Sequence, residues 1–242
     1  LTLFTLKKYI PELFDLKKEL RKIPLKKEIL SLGIPSAMEQ ISYNFSQTII
    51  TAIIASLGTI AVSSKIYTQT ITSFIFSIGV AAGVAGNLVI GNLYRNKNYD
   101  QIKYFAVRNA NRISLIAAAV NLILALFGQF LVRIFTDNPE IIKIVRELLF
   151  FQILLDPMRV ANEVLVNSLN VLKDVKFPVI VGIITTYALV IPLSYLFVKK
   201  LGFDISYVWL VFILDESLRR FILTKRFKSK RWIKKVDYND EK

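Results

Sequence analysis

The stretch LGIPSAMEQISYNFSQTIITAIIASLG, residues 32–58, decides how the chain is read. No charged side chain occurs from Gln40 to Ser64, yet Glu39 stands at the front edge, followed by Gln40, Tyr43, Asn44 and Gln47. Three more charge-free runs cover Ile66 to Tyr94, Ile113 to Val132 and Phe177 to Val198. A run of roughly 20 apolar residues is the length that crosses a hydrocarbon core as a helix. The chain is 54% hydrophobic with a mean hydropathy of +0.48, above the ~45–50% apolar content of a soluble domain. It reads as an integral membrane protein.

Composition narrows the chemistry. The 242 residues include no cysteine and no histidine. That excludes disulfides, thiol nucleophiles, the usual zinc sites and a Ser-His-Asp triad. No other spacing resembles a catalytic constellation, so neither an enzyme nor a cofactor is expected. The net charge of +14 arises from 32 Lys and Arg against 18 Asp and Glu. These basic residues cluster beside the apolar runs, the pattern of cytoplasmic loops facing anionic membrane lipid. Lipid is therefore the expected partner, and nucleic acid is not.

The chain divides into a basic amphipathic lead-in (1–28), a six-helix transmembrane bundle (29–224) and a basic tail (225–242). The lead-in places Leu6, Tyr9, Ile10, Leu13 and Leu16 at helical spacing between lysines, as in a helix lying on a membrane surface. It carries no signal peptide and starts on leucine, so the chain is expected to begin inside a longer protein. Six spans are expected over about 29–55, 64–91, 111–133, 141–170, 177–198 and 205–224. The lead-in, the segment GNLYRNKNYDQIKYFAVRNANR, the turn KDVK and the tail TKRFKSKRWIKK hold most of the basic residues. With six spans they fall on one side, which predicts cytoplasmic termini in the cytoplasmic membrane. Trp209 and Trp232 are expected to anchor at the interfaces.

Polar residues inside the spans follow helical periodicity. In the fourth span Gln152, Asp156, Arg159, Glu163, Asn167 and Asn170 are 4, 3, 4, 4 and 3 positions apart, which sets them on one face. Glu39, Tyr43, Gln47 and Thr51 repeat every four in the first span. Lys65, Gln69, Thr72 or Ser73, and Ser77 do much the same in the second. Three striped helices predict a bundle around a wet cavity, since charges within a membrane usually face a cavity or a partner. The plainer reading is that Asp156, Arg159 and Glu163 neutralise one another along one helix. Glu39 has no cation one turn away on its own helix, so its charge needs a partner, a proton or an ion. Gly79 and Gly83 form a GxxxG followed by Gly86 and Gly91; inside a span this is a helix-packing motif, not a nucleotide loop. Pro157 directly follows Asp156, where a helix break would free carbonyls beside a carboxylate.

Four stretches together resemble the multidrug and toxic compound extrusion (MATE) transporters: LGIPSAMEQ, SIGVAAGVAGNLVIGNLYRNKNYDQ, LLDPMRVANEVLVNSLNVLKDVKFPV and DESLRRFILTKRFKSKRW. They are spread in order from residue 32 to residue 232 and are similar to parts of that family's seventh, eighth, tenth and twelfth helices. The resemblance implies the second half of a twelve-helix fold, with an N-terminal six-helix half as its partner, in the same longer chain or separate. It implies efflux of a small cationic, amphipathic compound in exchange for Na+ or H+. Asp156 falls on the family's tenth-helix acidic position, where a coupling Na+ could sit, and Glu39 falls near the seventh-helix one. In some branches that glutamate lies one turn further in, where this chain has Tyr43. Asn170 and Val171 replace the family's Arg-Gly, while Lys173 and Asp174 fit its turn. The resemblance makes Asp156 and Glu39 the cation-coupling candidates. Tyr43, Gln47, Gln69, Thr72, Gln152, Arg159, Glu163 and Asn167 are the cavity candidates. Two alternatives stand beside it: a lipid-linked oligosaccharide flippase, which Lys65 and Arg159 would suit, and a non-transporting accessory bundle.

Overall fold

A computed structural model describes residues 25–229 and 232–233. The lead-in helix expected over residues 1–24 and most of the basic tail lie outside the described residues. The helices are α1 Leu25–Ala55, α2 Thr59–Arg95, α3 Tyr99–Leu126, the short α4 Gly128–Arg133, α5 Pro139–Val171, α6 Lys176–Lys200 and α7 Ile205–Lys228. No strand occurs among the described residues. The six long helices coincide in order with the six expected spans.

Hydropathy located the spans but not the helix ends. The segment expected as a loop over 91–112 is almost entirely helical: α2 runs on to Arg95 and α3 starts at Tyr99, leaving a turn at Asn96–Asn98. A helix keeps its hydrogen bonds beyond the hydrocarbon, so the apolar run marks membrane thickness and not helix length. Lys97 closes that turn at a φ of 53°. Gly58 closes the α1–α2 turn at a φ of 103°, a value that favours glycine. The expected third span breaks at Phe127, before α4. The start of α5 follows capping chemistry: Asn138 Oδ1 accepts from the backbone N–H groups of Glu140 (3.0 Å) and Ile141 (3.3 Å), with Pro139 at the first helical position.

Burial is inverted relative to a soluble protein. Leu88, Leu115, Phe130 and Phe221 are 65–80% exposed, while Lys65, Thr68, Thr72, Gln152 and Asp156 are buried. An apolar exterior around a polar interior matches hydrocarbon solvent. Among the described residues three helices, α2, α3 and α6, are long and apolar enough to cross a membrane. The polar stripes of α1, α5 and α7 lower their hydropathy, yet at 31, 33 and 24 residues each exceeds the ~20 needed.

Helix α5 is the centre of the bundle, packed against α2, α3, α4 and α7. Small residues let α2 approach it. A Cβ added at Gly79 would lie 2.7 Å from Val160 Cγ1, and one at Gly83 would lie 3.0 Å from Asn167 Nδ2. The packing role expected of the GxxxG is what the α2–α5 interface displays. The tryptophans differ from expectation: both are fully buried, Trp209 in the cluster with Ile50, Ile54 and Phe212, and Trp232 against Phe227 and Tyr99. Each completes a core cluster at its end of the bundle, where ring burial outweighs interfacial anchoring.

Candidate functional site

Two adjoining cavities lie between α1, α2, α5, α6 and α7. The larger, about 710 Å³, is lined by Tyr43, Gln47 and Thr51 of α1, Lys65, Gln69 and Thr72 of α2, and Asp156 and Arg159 of α5. The smaller, about 430 Å³, is lined by Glu39, Tyr43, Arg159, Glu163, Asn167, Glu216 and Arg219 among others. Tyr43 and Arg159 belong to both. The every-fourth spacing on α1 thus runs along the seam: Glu39 opens on one cavity and Gln47 and Thr51 on the other.

The two acidic candidates are not brought together. Asp156 lines the larger cavity and Glu39 the smaller. Gln152 faces the same way as Asp156 but lines neither: it is buried and donates from Nε2 to Thr72 Oγ1 at 3.4 Å, joining α5 to α2. It joins the two helices one turn before Asp156 on α5.

The ion pairing on α5 departs from the expected chain of neighbours. Arg159 Nη1 lies 3.4 Å from Asp156 Oδ1, as the i,i+3 spacing predicts. Its Nε turns to Glu216 Oε1 on α7, also at 3.4 Å, and not to Glu163. Glu163 instead accepts from Asn167 Nδ2 at 2.8 Å. Asn162 Nδ2 donates to both the backbone oxygen and the Oε2 of Glu216 at 2.8 Å. The second oxygen of Asp156, Oδ2, is buried without a hydrogen-bond donor, although Asn121 of α3 approaches the carboxyl. An unsatisfied buried carboxylate oxygen is costly unless a proton, an ion or a ligand reaches it.

Sequence reasoning missed the contribution of α7. Asp215 and Glu216 interrupt the apolar run of the sixth span, and with Arg219 they line the interior. Arg219 Nε lies 3.0 Å from Asp215 Oδ1 and donates to Thr185 Oγ1 at 2.8 Å. Its Nη2 donates to Thr186 Oγ1 at 2.6 Å and to the Gly182 carbonyl at 3.1 Å. The 4-residue spacing of Asp215 and Arg219 was the available signal. These bonds meet α6 where it widens into a π-helical turn over Thr186–Val190, just before Pro192. Proline cannot donate to the carbonyl one turn back, and the inserted guanidinium satisfies oxygens at the opening of that turn.

An all-α bundle that is apolar outside and lined within by carboxylates, guanidinia and amides defines a multi-pass membrane protein with a polar interior. The MatE family model matches residues 35–196, and the chain belongs to that family. It is 37% identical over 231 residues to the uncharacterized transporter YisQ of Bacillus subtilis, covering 95% of this chain and 50% of that protein. It is 26% identical over 234 residues to the probable multidrug resistance protein NorM of Thermotoga maritima, covering 93% and 49%. A MATE crystallised in the bent conformation shares the fold with a TM-score of 0.76 at 18% identity, over 92% of this chain and 50% of that one. The chain spans about half the length of the curated relatives it matches.

Proposed function

We propose that this chain supplies the second six-helix half of a cation-coupled exporter, in which Na+ or H+ entry drives efflux of cationic amphipathic compounds across the cytoplasmic membrane. Both termini would face the cytoplasm, and an N-terminal half would complete the cavity. The observation that carries this reading is Asp156: 3% exposed, at the wall of a 710 Å³ cavity, with one carboxylate oxygen unpartnered. Such a group is suited to exchange one cation for another. Among the described residues no group of three or more acidic side chains gathers as a metal site. A Na+ at Asp156 would draw further oxygens from uncharged groups, whereas a proton needs the carboxyl alone.

Exchange follows from competition. If substrate and coupling ion both require Asp156 or Glu39, and the states open to either side bind them differently, each drives the other's release. The names of the relatives, a transporter and multidrug resistance proteins, support export over enzymatic chemistry. A flippase for a pyrophosphate-linked lipid would need several free cations; Arg159 is held between two carboxylates, which leaves only Lys65 of the two cations lining the larger cavity. Asp156→Asn in the intact protein, measured by ion-driven efflux from everted membrane vesicles, should abolish transport with expression near normal. Efflux at the wild-type rate would remove Asp156 from coupling.

A further inference from the structure

Glu39 and Asp156 line different cavities, so a cation at one does not displace a cation at the other by contact. Arg159 is placed to carry the effect across. It lines both cavities, beside Asp156 in the larger and Glu216 in the smaller. Its Nη1 lies 3.4 Å from Asp156 Oδ1 and its Nε lies 3.4 Å from Glu216 Oε1. A closed charge-assisted bond is about 2.7–2.9 Å long, so neither contact is closed. Other arginines of this protein approach their carboxylates more nearly: Arg226 Nη2 reaches Asp174 at 2.7 Å and Arg219 Nε reaches Asp215 at 3.0 Å.

The carboxylates are the fixed parts of this arrangement. The Asp156 side chain is 4% exposed on the central helix. Glu216 is 14% exposed and is held by Asn162, whose Nδ2 donates to its Oε2 at 2.8 Å. The guanidinium between them is 29% exposed. A move of roughly half an ångström would close one of its bonds and open the other. With both carboxylates charged it is drawn both ways; when one is neutralised, only the attraction of the other remains.

We propose that Arg159 is a charge relay: when a proton or a cation fills Asp156, the guanidinium passes to Glu216, and the smaller cavity, lined also by Glu39 and Glu163, loses negative charge. A cation in the smaller cavity is then held less tightly, so ion and substrate oppose each other without sharing a carboxylate. This rests on the export reading, in which the coupling ion occupies Asp156.

The test is nuclear magnetic resonance of the full-length protein in detergent with isotope-labelled arginine, the Nε–H signal of Arg159 being assigned by its loss in Arg159→Lys. Asp156→Asn, which copies the shape of the filled state, should move that proton downfield and slow its exchange with water by at least about threefold, as the bond to Glu216 closes. Glu216→Gln should send the guanidinium to Asp156 and slow the rotation of its Nη groups. Failure of either change would overturn the relay and make Arg159 a fixed bridge. Binding of tetraphenylphosphonium, a permanent organic cation, is the second measurement. Asp156→Asn should weaken it by at least about fivefold, but by less than about twofold in the Glu216→Gln background. An equal loss in both backgrounds would mean that the probe meets Asp156 directly, and would also overturn the relay. A wild-type protein that binds none of this cation would count against export itself, while the arginine signal would still decide the relay.

Discussion

Arg159 on α5 lies 3.4 Å from Glu216 on α7, with side chains 29% and 14% exposed. The same guanidinium reaches Asp156 on its own helix at 3.4 Å. One cation therefore serves two carboxylates on two helices and sits at the boundary of both cavities. In a low-dielectric interior, removing one partner of such a group costs more than the pairing itself contributes, because charge is left uncompensated.

Arg159→Gln should therefore lower stability by about 3 kcal/mol. Combining it with Glu216→Gln should recover about 1 kcal/mol or more relative to the sum of the single changes, because the double variant no longer strands Glu216. Thermal unfolding of the four detergent-purified proteins would test this. Strict additivity would mean the two side chains do not interact.

Arg219 makes four contacts with a planar fork, to Asp215, Thr185, Thr186 and the Gly182 carbonyl. Lysine offers a point charge without that fork. Arg219→Lys should destabilise by about 1–3 kcal/mol, the cost of leaving buried polar groups unsatisfied. Hydrogen exchange should rise at residues 182–190 of α6. Unchanged exchange there would detach Arg219 from the widened turn.

Gly79→Ala would place a methyl group 2.7 Å from Val160 Cγ1. Valine is stiff at χ1, so the helices must part, at about 1–3 kcal/mol. Gly79→Ala with Val160→Ala should recover most of the melting temperature. A fully stable single variant would show that α2 and α5 do not approach this closely.

Asp174, fully buried in the α5–α6 turn, receives Arg226 Nη2 at 2.7 Å and Nε at 2.8 Å. The Arg226 guanidinium also lies 4.5 Å over the Phe177 ring. Arg226→Gln should lower stability by about 3 kcal/mol through the stranded carboxylate. Arg226→Lys should keep the charge but lose the two-pronged geometry and the stacking, and fall between the two. Equal melting temperatures for all three proteins would contradict this pairing.

The order of six spans and the polar stripes of α1, α2 and α5 were legible in the sequence. A helix in hydrocarbon must satisfy its own backbone, so apolar length sets span number, and a 3.6-residue period sets which side chains share a face. Periodicity put Asp156 and Arg159 on one face and Glu39 on the stripe with Tyr43, Gln47 and Thr51. Those are properties of one helix at a time. Which helix faces which is a property of packing. Only the tertiary structure turned Arg159 towards Glu216 on α7 and away from Glu163, buried Gln152 between α2 and α5, and put Glu39 and Asp156 in separate cavities. It also left Lys65 without a carboxylate among the described residues. Charge pairing depends on distances of a few ångströms between side chains far apart in sequence, and those distances are fixed by how the helices pack.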